Sequence, residues 1–72
     1  MAETELHAFL MENGLTELSK KLETLDTGQL FAELDDTVQM DILGVSHEEW
    51  TFMRSQKAVY TAICRELLKR VK

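Results

Sequence analysis

The chain has 72 residues, of which 44% are hydrophobic and 29% charged, a balance typical of one ordinary folded domain and not of a disordered segment. One cysteine excludes an internal disulfide and a cysteine-based zinc site, and is typical of a reducing compartment, which predicts an intracellular, cytoplasmic protein with the nucleus as the alternative. No apolar run approaches the roughly 18–20 residues of a membrane span, so no membrane insertion is expected, and the net charge of −5 argues against general nucleic-acid binding.

Two helices are predicted in the first third of the chain. Residues 4–13 place leucines and a phenylalanine at helical spacing, and the pair Asn13-Gly14 supplies a left-handed stop. Thr16 is a good N-cap for a second helix, which carries a stripe of leucines over residues 16–25. Both segments are therefore expected to bury one apolar face.

Two shorter helical segments follow a break at residues 26–28, where the sequence Asp-Thr-Gly has the chemistry of a turn. Residues 29–33 are expected to form a single helical turn. Residues 35–37 then cap a short helix that ends at Gly44, because glycine adopts the left-handed conformation at helix ends without strain. The sequence contains no convincing strand pattern.

The last third, residues 46–72, is predicted to be one long amphipathic helix. Ser46 followed by Glu49 has the spacing of a capping box, in which each side chain satisfies the free amide of the other residue. One broad face carries the apolar side chains Phe52, Met53, Val59, Tyr60, Ile63, Cys64, Leu67 and Val71. Gln56 interrupts that face, which leaves open the alternative of two helices separated by a break near Ser55, with Ser55 as a second cap.

These elements predict an all-α fold. The expected architecture is a compact five-helix bundle with a long C-terminal helix, which forms one domain over residues 1–72, either alone or as part of a larger protein.

The sequence contains few residues that could carry out catalysis. Cys64 lies on the apolar face of the last helix, where a small buried thiol is the ordinary explanation. Neither His7 nor His47 belongs to a metal-binding spacing, and the chain has no glycine-rich phosphate loop. We therefore expect no enzymatic activity, no metal and no cofactor.

Charge is strongly segregated along the chain. Residues 1–49 carry twelve acidic and two basic side chains, which sum to −10, whereas residues 50–72 carry six basic and one acidic side chain, which sum to +5. Either the basic last helix covers an acidic body, or the acidic surface of one molecule meets the basic helix of another. Trp50 has two interpretations as well: it plugs the end of the core, or it is an exposed aromatic anchor for a partner.

The order of several short motifs resembles the sterile alpha motif (SAM) family of five-helix protein-interaction domains. The matching residues are Gly14-Leu15, Leu18 and Leu22 in helix 2, Leu25-Asp26-Thr27-Gly28 in the next turn, Leu30 and Leu34 in helix 3, Met40, Leu43, Gly44 and Val45 at the end of helix 4, and Ala62-Ile63 in the last helix. The resemblance covers roughly residues 6–68. The sequence departs from the family pattern at residues 46–53, which lengthen the start of the last helix, and at Arg54, which stands where the family has glycine.

The resemblance implies a non-enzymatic module for homo- or hetero-oligomerisation, of the kind found in scaffold and signalling proteins, with two opposed surfaces. The candidates for an acidic, mid-loop-like surface are Glu33, Asp35, Asp36 and Asp41, and those for a basic, end-helix-like surface are Trp50, Arg54 and Lys57. The expected partner is a protein, either a second copy or another SAM-like domain.

Two alternatives remain. RNA binding, which a few SAM domains perform, would use a basic last helix and Trp50 as a stacking surface, although the −10 carried by residues 1–49 would repel a polyanion. Its phosphate contacts would come from Arg54, Lys57, Arg65, Lys69, Arg70 and Lys72. The other alternative keeps the interaction function and changes the architecture to a death-fold relative, for whose six helices 72 residues is short.

Overall fold

The helices of the first two thirds of the chain begin and end close to their predicted boundaries. The computed structural model describes residues 1–25 and 30–69, and within them it contains five α-helices and one 3₁₀ turn. These elements are α1 (Glu3–Glu12), α2 (Thr16–Leu22), the 3₁₀ turn (Phe31–Glu33), α3 (Asp36–Leu43), α4 (His47–Ser55) and α5 (Lys57–Leu68). The described residues include no strand, which confirms the all-α fold. No helix in this part of the chain is both long and apolar enough to cross a membrane.

Some predictions fall outside the described residues. These are the turn at residues 26–28, the expected start of the next segment at Gln29, and the end of the last helix at residues 70–72, which includes two of the predicted phosphate contacts, Arg70 and Lys72.

Two glycines end helices as predicted. Gly14 follows α1 at φ 76°, and Gly44 ends α3 at φ 68°, both in the left-handed region that glycine adopts without strain. The predicted N-cap role of Thr16 is wrong, because Thr16 is already the first residue of α2. Leu15 occupies the cap position instead, and its side chain is buried in the core.

Residues 46–72 do not form one helix, which corrects the prediction of a long C-terminal helix. α4 and α5 are separated by Gln56, whose φ of −100° and ψ of 88° are not helical. The carbonyl of Gln56 accepts the first two amide hydrogen bonds of α5, so this residue stands at the cap position of α5. Ser55 does not cap α5, because its hydroxyl donates to the carbonyl of Phe52, 2.6 Å away.

The break has a simple physical reason. A continuous helix over residues 46–72 would be roughly 40 Å long at 1.5 Å per residue, whereas the longest dimension of the domain is 30 Å. Two shorter helices can each turn an apolar stripe to the same core, α4 through Trp50 and Met53, and α5 through residues that include Ile63 and Leu67. Gln56 itself is exposed, so it does not place a polar side chain in that core.

The core is arranged around α5, which contacts α1, α2, α4 and the 3₁₀ turn. The buried apolar residues of the core are Leu6, Leu10, Leu15, Leu18, Leu22, Phe31, Leu43, Trp50, Met53, Val59, Ala62, Ile63 and Leu67. Because each fully buried large apolar side chain contributes about 1.5–3 kcal/mol relative to exposure, this cluster supplies the main driving force for folding.

Candidate interaction surfaces

Trp50 lies in the core and is only 3% exposed. The sequence had left two interpretations open, burial at the end of the core or an exposed anchor for a partner. The Trp50 ring makes edge-to-face contacts with Phe31 and Tyr60, at 6.2 and 5.7 Å between ring centroids. When residues 46–72 are projected as one continuous helix, Trp50 falls toward the outer side. In the shorter α4, Trp50 and Met53 lie three residues apart on the same buried face. The prediction of Trp50 as an exposed binding residue is therefore wrong.

Arg54 joins elements that the sequence assigned to opposed surfaces. Its Nη1 donates to Oδ1 of Asp36 across 2.6 Å, and its guanidinium carbon lies 4.4 Å from the centroid of the Tyr60 ring. Both side chains of the ion pair are partly exposed, Arg54 at 41% and Asp36 at 65%. Arg54 thus connects α4 to the start of α3 and to α5, and the acidic and basic surfaces adjoin at this point.

Gln39 on α3 is a buried polar residue that the sequence analysis missed. It is 1% exposed, and its Nε2 donates to the carbonyl of Phe31 at 2.8 Å and to the hydroxyl of Tyr60 at 3.2 Å. Within the described residues, Gln39 Oε1 and Trp50 Nε1 have no hydrogen-bond partner. A single glutamine in a short helix gives no periodic signal that would mark it as buried, so only the packing of three elements reveals its role.

Tyr60 and Cys64, next to Gln39 and Arg54, both resist ionisation. Burial raises the pKa of Tyr60 above its ordinary value of 10.0, and burial also raises the pKa of Cys64 above 9.0. A half-buried thiol that stays protonated is a poor nucleophile, so the site offers Cys64 for packing rather than for covalent chemistry.

The four predicted acidic residues do not form one patch. Asp36 pairs with Arg54. Asp35 occupies the N-cap position of α3, where its carboxylate interacts favourably with the positive end of the helix. Glu33 lines a groove of about 290 Å³ between the 3₁₀ turn and α5, which Arg65 also lines. Asp35 and Asp36 therefore have roles within the domain, and Glu33 shares a groove with the cation of Arg65.

Asp41 and Lys57 are the remaining predicted residues, and both are exposed. Asp41 lines a groove of about 490 Å³ between α3 and the start of α4, beside Val38, which is 42% exposed, and His47. Lys57 is the first residue of α5. Neither side chain forms an ion pair with any residue that the structure describes.

Phe9 on α1 and Phe52 on α4 form a partly exposed aromatic pair that the sequence analysis also missed. Their rings are nearly parallel, at an angle of 7°, with 5.9 Å between centroids. The sequence counted Phe52 among the apolar residues of one long buried face, but it is 40% exposed. The break at Gln56 explains the difference, because α4 buries Trp50 and Met53 and leaves Phe52 at the edge.

His7 on α1 contacts α2. Its Nδ1 lies 2.6 Å from the hydroxyl oxygen of Ser19, which is 5% exposed. In residues 1–25 and 30–69, no group of three or more histidine, cysteine or acidic side chains is placed to hold a metal ion.

Comparison of the chain with protein-family models, with curated proteins and with solved structures found no match. The resemblance to the sterile alpha motif family therefore stays a prediction, carried by the residues quoted for it.

Proposed function

We propose that the domain is a non-enzymatic protein–protein association module that binds a second copy head to tail, with Lys57 of one copy on Asp41 of the next. The observation that carries the proposal is the uncompensated positive end of α5. Lys57 is the first residue of this helix, its first turn contains no acidic residue, and no side chain caps it. A carboxylate from a partner is the group that both the helix end and the lysine attract.

The groove around Asp41 offers such a carboxylate together with apolar surface. Asp41 has no basic partner among the described residues, and the neighbouring Val38 exposes 42% of its surface. A charged residue beside an exposed apolar one is a favourable combination for an interface, because the apolar contact adds affinity while the charge fixes orientation.

The pairing of two different surfaces has a consequence for assembly. Because the acidic groove and the basic helix end are different parts of the molecule, their contact is heterologous, and each added copy leaves one of each surface free. The segregation of charge, −10 over residues 1–49 and +5 over residues 50–72, favours encounters in this orientation. The SAM resemblance implies the same class of function and supports the proposal independently of the charges.

RNA binding is not retained as a second candidate. Trp50 is buried and offers no stacking surface, and Arg54 is paired with Asp36. Lys69 donates to the carboxylate of Glu66 at 3.3 Å. Three of the side chains that the alternative needed, including its stacking residue, are thus engaged within the domain.

The test uses two charge reversals, Lys57→Glu and Asp41→Lys, in sedimentation experiments over a concentration series. The wild type is expected to grow in size with concentration, and each variant is expected to weaken association at least about tenfold, equivalent to about 1.4 kcal/mol. An equimolar mixture of the two variants retains one intact pair of surfaces and is expected to form at least the 1:1 heterodimer, because the other pair brings together the two reversed charges, which also attract each other.

Controls with the same change in net charge are Lys20→Glu on α2 and Glu3→Lys on α1, which are expected to associate like the wild type. A wild type that stays monomeric up to about 1 mM, or a mixture that does not form the heterodimer, contradicts the proposal. Arg54 is unsuitable for this test, because its reversal would also break the contacts with Asp36 and Tyr60.

A further inference from the structure

A second surface on α1 and α4 combines a partly exposed pair of aromatic rings with acidic side chains. Its centre is the stacked pair of Phe9 and Phe52, in which Phe52 is 40% exposed and Phe9 is partly buried. Aromatic rings that are already held in one orientation lose little conformational entropy on binding, which makes them effective anchors in protein interfaces.

Carboxylates surround this aromatic pair on both helices. Glu48 and Glu49 line a groove of about 330 Å³ against Phe52. On α1, Glu5 and Glu12 lie one helical turn before and after the phenylalanine of the pair, so they border it on the same side of the helix. All four glutamates are exposed, and the described residues that line the groove include no lysine or arginine.

We propose that this surface docks a basic amphipathic helix of another protein. An apolar side chain of that helix would contact the aromatic pair, and lysines or arginines one turn away on either side would meet the glutamates. The arrangement matches the helix-in-groove mode of recognition, in which apolar anchors give affinity and surrounding charges give orientation. The surface includes neither Asp41 nor Lys57, so it is separate from the self-association proposed above.

Three of the basic side chains of a second copy of this chain have other roles. Arg54 is already paired with Asp36, Lys69 is paired with Glu66, and Lys57 is the cation used in the self-association proposed above. The complementary charge is therefore expected to come from a different protein, in which several cations and an apolar anchor share one helical face.

The probe for this proposal is a synthetic helical peptide of about 15 residues that carries leucines on one face and lysines on the flanking positions. Binding is measured by calorimetry at about 0.15 M salt, where exposed charges more than about 8 Å apart are largely screened. A dissociation constant in the micromolar range is expected for the wild type. Phe52→Ser is expected to weaken binding at least tenfold.

The matched control for the aromatic pair is Met11→Ser. Met11 is 58% exposed on the same helix as Phe9 but lies two residues away, and thus on a different side. A second variant, Glu12→Lys with Glu48→Lys, keeps both rings and is also expected to weaken binding at least tenfold, whereas Glu3→Lys with Glu17→Lys is expected to have a smaller effect. Thermal unfolding of each variant checks the fold, and the two-glutamate variant carries the test if Phe52→Ser does not fold.

Three results would overturn the proposal. The first is equal weakening by Phe52→Ser and Met11→Ser, and the second is equal binding of a peptide with serine in place of every leucine, since either would leave only non-specific attraction between opposite charges. The third is loss of self-association in the Phe52→Ser variant, which would make the surface a contact between copies. Lys57→Glu is expected to keep full peptide binding, so failure of the self-association proposal is distinguishable from failure of this one.

Discussion

Arg54 on α4 and Asp36 on α3 form an ion pair of 2.6 Å, and the same guanidinium lies over the ring of Tyr60 on α5. Two residues that the sequence assigned to opposed binding surfaces therefore pair with each other within one molecule. The contact joins three helices at the point where the predicted long helix is broken. It also leaves Lys57, two residues after the end of α4, as the cation available at the start of α5.

Replacement of Arg54 by alanine is expected to lower the free energy of unfolding by about 0.5–2 kcal/mol. A partly exposed ion pair contributes up to about 1 kcal/mol, and the cation–π contact with Tyr60 adds about 0.5–1 kcal/mol. Arg54→Lys keeps the charge but loses the planar group over the ring, so an intermediate loss is expected. Urea unfolding measures all three proteins.

The matched control for this prediction is Lys57→Ala, which removes an exposed cation that has no ion pair with a described residue. Its effect on stability is expected to stay within about 0.5 kcal/mol. Equal stability of Arg54→Ala and the wild type would show that the contact with Asp36 and Tyr60 makes no net contribution.

Serine at position 56 is expected to stabilise the domain. Gln56 stands at the cap position of α5 in a non-helical conformation, and its side chain makes no capping hydrogen bond. A serine hydroxyl there can accept from an amide of the first turn, which typically contributes about 0.5–1 kcal/mol. The measurement is the urea midpoint of Gln56→Ser against the wild type.

The reverse change serves as the control for this prediction. Ser46 caps α4 through a capping box with Glu49, in which both reciprocal hydrogen bonds are present. Ser46→Ala is expected to cost about 1 kcal/mol. A destabilised Gln56→Ser variant would mean that the glutamine side chain has a role at the break that its exposure does not suggest.

Stability is expected to fall as the pH rises above about 9. Burial raises the folded-state pKa of Cys64 above 9.0 and that of Tyr60 above 10.0, so the unfolded chain loses these protons at lower pH than the folded chain. The unfolded state then binds fewer protons, and the free energy of unfolding decreases with pH. The contribution is fully present below about pH 9 and is lost as the pH passes through the raised values.

Urea unfolding of the wild type and Cys64→Ala between about pH 7 and pH 10 tests this dependence. The variant is less stable at neutral pH because it loses packing, but its stability is expected to decline less steeply between pH 9 and 10. Thr61→Ala, an exposed change on the same helix with no titrating group, is expected to follow the wild-type slope. Parallel slopes for the wild type and Cys64→Ala would contradict the assignment.

The sequence predicted the helices wherever a local signal marks their ends. Gly14 and Gly44 end helices in the left-handed conformation, and the Ser46–Glu49 capping box begins α4. The break at Gln56 left only a weak local signal, a glutamine on the apolar face, which kept open the alternative of two helices that the structure confirms. The break itself depends on the length of helix that the small core accommodates. Its consequence was the wrong projection of Trp50.

The candidate site was less predictable than the fold, since contacts between separate elements decide it. Linear charge segregation pointed to Asp36 and Arg54, but nothing in their spacing shows that they meet. The same limit hid the pair of Phe9 and Phe52, which lie on helices far apart in the chain. Exposure and pairing of side chains follow from the packing of α1, α2 and α4 against α5.

The burial of Trp50 leads to the last prediction, which separates a core role from an interface role. As the only tryptophan, it is expected to resist quenching by acrylamide in the folded protein and to become accessible on unfolding. Trp50→Ala is expected to cost about 3–5 kcal/mol, a large part of the 5–15 kcal/mol typical of a whole domain. Trp50→Phe should cost less than about 2 kcal/mol, because it keeps an aromatic ring and removes a buried N–H that has no partner among the described residues.

Self-association provides the discriminating measurement for Trp50. Because the ring contacts Phe31 and Tyr60 inside the domain, Trp50→Phe is expected to associate with the wild-type concentration dependence in sedimentation, and association is expected to leave quenching of the wild type unchanged. Lys57→Glu supplies the matched comparison, since it should retain the quenching behaviour and lose association. A folded Trp50→Phe variant that no longer associates would place Trp50 in the interface, against its 3% exposure.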